Sequence, residues 1–330
     1  MERVTTLRLS IIALSLGLLL ADSPPKAQQA KLPRVGILLL GGPGPSSDSL
    51  RQGFTQLGYV DGQNVITEFR FVRGQFDRAP EIAAELVRLD VDVIVAVGAI
   101  GVQAARKATS KIPIVFSAVI DPVASGYAAT LERPAGNITG ITSFDPQQAS
   151  KQLEILKEIN PKLSRVAILS DQDIPRAPDG WNPLEKANDA AARALGLQPH
   201  WFRMKGPKPD LQEAFTAMIS ERAEALLILE VPITILHFNP IAALAAKNRL
   251  PTMFPGGWAN DGLITYGTSI LDATPQIPGY VDKILKGAEP GELPIEVITR
   301  RELIINLKTA QEIGVTIPSD LLKLADRVIQ

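Results

Sequence analysis

The chain has 330 residues, enough for one large domain or two ordinary ones. Its 34 Lys and Arg balance 35 Asp and Glu, so the basic surplus typical of nucleic-acid-binding proteins is absent. The chain has no cysteine, which excludes disulfides, thiolate zinc sites, iron–sulfur clusters and cysteine nucleophiles. Two histidines, His200 and His237, leave little for metal binding or proton transfer. We therefore expect no nucleic-acid partner, no metal and no cofactor.

The N-terminal segment has the pattern of a secretory signal peptide. Two arginines precede an apolar run at 9–21, which is shorter than the roughly 20 residues that a membrane-spanning helix needs. A polar, proline-interrupted stretch at 22–30 follows, with small residues at Ala27 and Ala30. This order predicts a signal peptide at 1–30, cleaved after Ala27 or Ala30, rather than an uncleaved anchor or a buried helix. We expect the mature protein to be exported.

From residue 33 onward, short apolar runs alternate with amphipathic helices. Apolar runs of strand length suit strands that are buried on both faces of a parallel sheet. In the first half, the predicted strands lie at 34–40, 65–71, 91–97, 112–120 and 138–142. The predicted helices lie at 49–57, 80–89 and 101–110. A further helix is predicted from Asp121-Pro122, because Asp is a good N-cap and Pro suits the first helical position.

A second series of βαβ units begins after Thr142. Its predicted strands lie at 165–169, 198–203, 225–230 and 251–254, and its predicted helices at 146–159, 183–195, 209–222 and 234–249. The remaining segments are the run 262–267, a helix at 277–286, a proline-marked crossing segment at 294–306 and two short helices near the C-terminus.

This order predicts an α/β fold of two Rossmann-like, doubly wound lobes joined by crossing hinge segments. Lobe 1 would comprise 31–142, completed by about 264–298. Lobe 2 would comprise 143–263, completed by about 299–330.

Several sequence stretches point to a protein family. They include Arg34–Ile37, Phe54–Asn64, Asp121–Gly126, Pro134–Ile141, Ala191–Leu197, Tyr280–Gly287 and Ile305–Ala310. From residue 34 to about 328, in family order, the chain resembles ABC-transporter substrate-binding proteins of the tryptophan/tyrosine-binding-like group. One departure lies at Ser170–Pro175, where family members usually have an Asn-rich turn. The resemblance implies the type I periplasmic binding protein fold, a small-molecule ligand and a permease partner in the inner membrane.

Open α/β sheets bind ligands beside the carboxyl ends of their strands, where loops and helix N-termini converge. The first candidate is the loop 41–47, whose glycines let backbone N–H groups approach a ligand closely. Its candidate ligand residues are Gly42, Ser46 and Ser47, and the alternative is an ordinary surface loop. The loop has neither the G-x-G-x-x-G nor the Gly-Lys-Ser/Thr pattern of nucleotide-binding proteins.

Two more candidates follow the next strands of lobe 1. Gly98, Ala99 and Ile100 begin a helix, and the free N–H groups of a helix start favour an anion such as a carboxylate. The alternative is an ordinary strand-to-helix turn. Val119 and Asp121 follow the strand after that. Asp121 either pairs with a ligand ammonium or caps its own helix.

The strand ends of lobe 2 supply the opposing candidates. These are Ser143, Asp171, Glu230, Pro232, Gly256 and Trp258. Trp258 follows two glycines, and its indole can stack on an aromatic ring or a cation, or pack at the lobe rim. Trp181 and Trp201 carry no ligand prediction, because one precedes a helix start and the other lies on an amphipathic strand.

Together these features predict a monomeric, periplasmic solute-binding protein of an ABC importer. Its ligand would be an amino acid or an aromatic or aliphatic carboxylate, bound by closure of two lobes. Catalysis is not expected, since the chain has no G-x-S-x-G elbow, H-E-x-x-H pair or phosphate-binding loop. An alternative function is a periplasmic sensor that presents its ligand to a membrane receptor without transport.

Overall fold

The computed structural model describes residues 31–143, 145, 147–256, 261–268 and 273–330. The predicted signal peptide and Trp258 lie outside the described residues. The strands, in chain order, are β1 (Arg34–Leu39), β2 (Ile66–Phe71), β3 (Val93–Val97), β4 (Ile114–Ser117), β5 (Ile138–Thr142), β6 (Arg165–Asp171), β7 (Gln198–Met204), β8 (Ala225–Ile228), β9 (Thr252–Pro255), β10 (Ile264–Thr268), β11 (Glu296–Val297), β12 (Arg301–Asn306) and β13 (Arg327–Ile329).

Helices connect these strands. In chain order they are α1 (Pro45–Gln56), α2 (Ala79–Arg88), α3 (Ala99–Ala108), α4 (Gln148–Ile159), α5 (Pro183–Ala194), α6 (Leu211–Ser220), α7 (Pro232–Leu236), α8 (Phe238–Lys247), α9 (Ile277–Leu285), α10 (Leu307–Ile313) and α11 (Ser319–Leu324). Among the described residues, no helix combines the length and the apolar character needed to cross a bilayer.

Within the described residues, the strands form two sheets. One has the order β11-β5-β4-β3-β1-β2 and the other β13-β12-β10-β9-β8-β6-β7. The strands of the first sheet pair in parallel, and in the second sheet β10 and β12 pair antiparallel. The predicted α/β fold of two doubly wound lobes is therefore confirmed.

The central strands of the first sheet are covered on both faces. Val95 and Val115 pack against Ile277 and Val281 of α9 on one face of the first sheet. Leu38 packs on the opposite face, within the larger hydrophobic cluster. Strands that are buried on both faces need apolar side chains at successive positions, which explains why their sequences do not alternate.

The chain returns to the first sheet later than the sequence predicted. The sequence predicts that about 264–298 completes lobe 1, but β10 pairs with β9 and β12 in the second sheet. The return begins with α9, which packs on the first sheet, and ends with β11 beside β5. Only the strand pairing decides which sheet β10 joins, because its apolar run suits a strand of either sheet.

Hydrogen bonds join the crossing segments side by side. The Thr268 hydroxyl donates to the carbonyl of Ser143 at 3.0 Å, and its N–H donates to Gln148 Oε1 at 3.2 Å. The N–H of Ile298 donates to the carbonyl of Thr142 at 2.8 Å. These bonds bring together three places where the chain passes from one sheet toward the other.

Two predicted helices differ from the structure. Residues 122–126 form a turn instead of the helix predicted from Asp121. The helix predicted at 234–249 is divided at His237 into α7 and α8. Pro240 explains the division, because it has no N–H to donate to the carbonyl four residues earlier and is tolerated only in the first turn of a helix.

Candidate ligand-binding cavity

A cavity of about 660 Å³ lies where the carboxyl ends of both sheets meet. From the first sheet, the segments that follow β1, β3 and β4 line it, and from the second sheet the segments that follow β6 and β8 line it. The cavity is therefore located where strand-end loops and helix N-termini converge in this fold class. Its volume falls within the range of about 300–1,000 Å³ typical of small-molecule sites.

Two helix starts reach the cavity from the first sheet. Gly42 and Ser46 lie at the start of α1, and Gly98 and Ala99 at the start of α3. The first N–H groups of a helix have no carbonyl partner within the helix, and they carry partial positive charge. This wall of the cavity can therefore receive an anionic group.

Gly98 adopts a backbone conformation that suits glycine. Its φ is 85° and its ψ 153°, and a Cβ built there would lie 2.7 Å from Leu40 Cδ1. Ala118, which also lines the cavity after β4, has a φ of 62° although it is not glycine. Positive φ at a non-glycine residue stores strain and is concentrated at functional sites.

The side chain of Asp121 has the backbone of Ala124 as its partner. Its Oδ1 accepts from the N–H of Ala124 at 2.8 Å, and its carbonyl accepts from the N–H of Ser125 at 3.0 Å. Ala124 and Ser125 line the cavity, whereas Asp121 does not. Of the two roles left open by the sequence, the structure shows the capping role, at a turn instead of a helix.

Three other predicted residues of the first sheet side do not line the cavity. Ser47 is buried, and its hydroxyl bonds to the backbone of Gly44 at the start of α1. Val119 is fully buried, and its carbonyl accepts from the hydroxyl of Thr142 at 2.6 Å. Ile100 lines a separate recess of about 460 Å³ that also contacts Gln103. In each case the neighbouring residue, rather than the predicted one, faces the cavity.

On the second sheet side, Glu230 and Pro232 line the cavity after β8. Ser143 does not, because it belongs to the crossing segments, where its carbonyl accepts from Thr268. Gly256 lies so close to Gly267 that a Cβ would be 2.1 Å from its carbonyl oxygen. These positions are explained by the connections between the sheets rather than by the cavity.

Asp171 is fully buried behind the cavity wall. Its Oδ1 accepts from the N–H of Asp173 at 2.8 Å, and its Oδ2 accepts from the N–H of Ile233 at 3.0 Å. Burial raises the pKa of Asp171 to about 6, although these two hydrogen bonds act in the opposite direction. The carboxylate therefore supports the loop after β6 and the start of α7.

The loop from β6 to α5 supplies a group of cavity-lining residues, most of which the sequence did not predict. Its cavity-lining members are Ile174, Pro175, Arg176, Ala177, Asp179 and Trp181. Trp181 packs edge to face against Trp201, with ring centroids 5.3 Å apart. Asn182 and Pro183 form an N-cap and N1 pair that marks the start of α5. That signal could have placed Trp181 at the carboxyl edge of the sheet.

An ionic cluster around the buried carboxylate of Glu185 lies beneath this loop. The carboxylate of Glu185 accepts hydrogen bonds from Ser170, Arg176 and Arg203. Burial favours the neutral acid, but the hydrogen bonds from Arg203, Arg176 and Ser170 outweigh it and lower the pKa of Glu185. The carboxylate is therefore charged at neutral pH.

Comparisons with known proteins agree with this geometry. A tyrosine-binding protein of Clostridioides difficile is 24% identical over 274 residues, which are 80% of this chain and 76% of that protein. The crystal structure of a conserved domain protein from Vibrio cholerae has a TM-score of 0.79 and 27% identity, and covers 90% of this chain and 100% of its own.

The ABC domain from Streptococcus pneumoniae in complex with L-Trp has a TM-score of 0.79 and 24% identity, and covers 91% of this chain and 100% of its own. It has the same fold of two lobes. The resemblance to type I periplasmic binding proteins is thus confirmed. The model of the family described as "ABC transporter substrate binding protein" matches residues 43–329, and this chain belongs to that family of substrate-binding proteins.

Proposed function

We propose that this protein is the exported solute-binding component of an ABC importer and that it binds a small carboxylate with an aromatic or apolar body. The observation that carries the proposal is the cavity itself, with two helix N-termini on one wall and an indole on the other. The ligand would pass from this cavity to a permease in the inner membrane.

The carboxylate of the ligand would lie at the starts of α1 and α3. Backbone donors there stabilise an anion by about 0.3–1 kcal/mol when exposed and up to about 2 kcal/mol when partly buried. The hydroxyl of Ser46 can donate a further hydrogen bond from the same wall. Gly42 and Gly98 allow a ligand to approach the backbone closely.

The body of the ligand would contact apolar and aromatic side chains. Ile120, Tyr127, Leu184 and Ile235 line the cavity together with Trp181. A flat ring can pack edge to face or offset against an indole. The names of two similar proteins, a tyrosine-binding protein and a domain in complex with L-Trp, support an aromatic ligand.

An amino acid would need a partner for its ammonium, and Glu230 is the candidate on the second sheet side. An ammonium contacting this carboxylate would distinguish an amino acid from its deaminated analogue. Glu230→Gln should therefore weaken L-tryptophan more than indole-3-propionate. Equal loss for both would show that the ligand class is the carboxylate alone.

The ligand class is tested by thermal-shift screening of the mature protein with amino acids, aromatic acids and small carboxylates, followed by calorimetry. Each active compound is paired with its amide or methyl ester, which keeps the body and removes the charge. We expect the carboxylate to bind and its neutral partner to bind weakly. If the neutral partners bind equally well, the proposed carboxylate site is wrong.

Transport is tested in the producing cell by deleting the gene and measuring uptake of the compound identified by calorimetry. Uptake should fall and return on complementation. Tight binding with unchanged uptake would exclude the importer role.

Closure of the two lobes around the ligand is tested separately by small-angle scattering, because hinge closure reduces the radius of gyration.

A further inference from the structure

Besides Asp171, a second buried carboxylate, that of Glu185, contacts the cavity-lining loop from β6 to α5. Glu185 is fully buried in α5. Its Oε1 accepts from Ser170 Oγ at 2.8 Å, from Arg176 Nη2 at 3.0 Å and from Arg203 Nε at 3.0 Å. Its Oε2 accepts from Arg203 Nη2 at 3.3 Å. One side chain therefore connects the end of β6, the loop and β7.

Arg176 transmits this anchoring to the backbone of the loop. Its Nη1 donates to the carbonyls of Gln172 at 2.6 Å and Ile174 at 3.2 Å, and its Nη2 donates to the carbonyl of Asp171 at 2.7 Å. A guanidinium is planar, so its contact with Glu185 also sets the direction of its other donors. The fold of the loop thus depends on the orientation of Arg176.

Arg203 transmits the anchoring to the indole in the cavity wall. Its guanidinium carbon lies 5.3 Å from the ring centroid of Trp181 and 5.4 Å from that of Trp201. Both distances are within the range of cation–π contacts. Because Arg203 is bonded to Glu185 through two nitrogens, the carboxylate also fixes the surroundings of Trp181.

We propose that Glu185 is a positioning residue of the ligand site. Glu185 does not line the cavity, whereas Arg176 and Trp181 do. Glu185 holds Arg176 directly and Trp181 through Arg203. The inference rests on the proposed function only where ligand affinity is concerned. The loop itself would be preformed, so that binding does not have to supply the free energy of ordering it.

A matched control lies at the opposite end of β6, the strand whose carboxyl end carries Ser170. Glu224 accepts hydrogen bonds from the N–H and hydroxyl of Ser164 and from Arg165, next to the start of β6. Both clusters combine a glutamate, a serine and an arginine. Six residues of extended strand separate Ser164 from Ser170, a distance of about 20 Å. Glu224 is therefore remote from the cavity.

The test compares Glu185→Gln with Glu224→Gln in the mature protein without ligand. Hydrogen exchange of residues 172–182 is measured by mass spectrometry. We expect Glu185→Gln to raise exchange in this segment by about ten-fold, because the loop opens locally. Exchange in β1 and β3 should stay as in the wild type. Glu224→Gln should leave residues 172–182 unchanged.

Affinity is then measured by calorimetry with L-tryptophan as the probe. Glu185→Gln should weaken it by about ten-fold and Glu224→Gln by less than about two-fold. If wild-type protein does not bind L-tryptophan, the proposed aromatic amino-acid ligand is wrong, whereas hydrogen exchange still decides the role of Glu185.

Global unfolding of Glu185→Gln would be recognised by loss of a cooperative melting transition. In that case Arg176→Lys replaces it, since this variant keeps the charge opposite Glu185 and loses the forked contacts to the loop carbonyls. Raised exchange at 172–182 in a folded Arg176→Lys protein supports the proposal. Wild-type exchange there in either folded variant overturns it.

Discussion

The carboxylate of Asp171 accepts a hydrogen bond from the backbone N–H of Ile233 at 3.0 Å, and this bond joins the loop after β6 to the start of α7. Both segments line the cavity, through Ile174 on one side and Pro232 on the other. A buried carboxylate between two walls of a cavity fixes their separation. Its protonation state also affects the stability of the folded chain.

The stability of the protein should depend on the titration of Asp171. Burial raises its pKa to about 6, above the ordinary value of 3.8, so the folded state binds more protons than the unfolded chain between these values. The free energy of unfolding contributed by this group therefore falls as pH rises from about 4 to 6, by about 2–3 kcal/mol.

Denaturant unfolding of the wild type and Asp171→Asn at pH 4 and pH 7 measures this contribution, because asparagine does not titrate. The stability advantage of the wild type should shrink by about 2–3 kcal/mol between the two pH values. A difference that is the same at both values would contradict the raised pKa.

Gly98→Ala should reduce both stability and ligand affinity. The φ of 85° and ψ of 153° lie in a region that is nearly restricted to glycine, at a cost of about 1–3 kcal/mol. The added Cβ would also displace Leu40, whose Cδ1 would lie at 2.7 Å. Gly62→Ala is the control, since Gly62 has a φ of 76° and open space around it. Thermal melting should show lower stability in both variants, and calorimetry should show lost affinity only in Gly98→Ala.

Two adjacent serines should separate stability from binding. Ser47→Ala removes the hydroxyl that bonds to Gly44 and should destabilise the protein by about 1 kcal/mol without changing affinity. Ser46→Ala should weaken a carboxylate ligand by about 0.5–1.5 kcal/mol and leave the melting temperature unchanged. Lost affinity in Ser47→Ala together with lost stability in Ser46→Ala would contradict the proposed orientation of the two hydroxyls.

Trp181→Ala should weaken an aromatic carboxylate. An aromatic pair contributes about 0.5–1.5 kcal/mol beyond its buried area, which corresponds to a loss of affinity of about two- to ten-fold. An aliphatic carboxylate should lose less. Unchanged affinity of the aromatic ligand in Trp181→Ala would show that the Trp181 indole does not contact the ligand.

Calorimetry on Trp258→Ala tests the stacking that the sequence predicts for Trp258.

Asp121→Asn should have little effect on binding. Asparagine also caps turns well and tolerates the φ of 46° found at this position. L-Tryptophan and indole-3-propionate should therefore bind to the variant with the same relative affinity as to the wild type. A selective loss of L-tryptophan would show that Asp121 contacts the ammonium.

The sequence alone predicted β1 to β9, because strands covered on both faces have apolar side chains at successive positions, but it did not predict β11, β12 and β13 as strands. The run 91–97 is an example, and the structure has β3 at Val93–Val97. The rule that ligands bind at the carboxyl ends of such strands also singled out Gly42 and Glu230, and both line the cavity.

Only the tertiary structure decided which residue of each strand-end segment faces the cavity. Ser46 and Ser47 have the same side chain, but the turn at the start of α1 places Ser46 at the cavity and buries Ser47. Trp181 lines the cavity because Glu185 of α5 and Arg203 of β7 hold its loop. Composition and periodicity determine local structure, whereas side-chain direction in a loop depends on contacts that are distant in sequence.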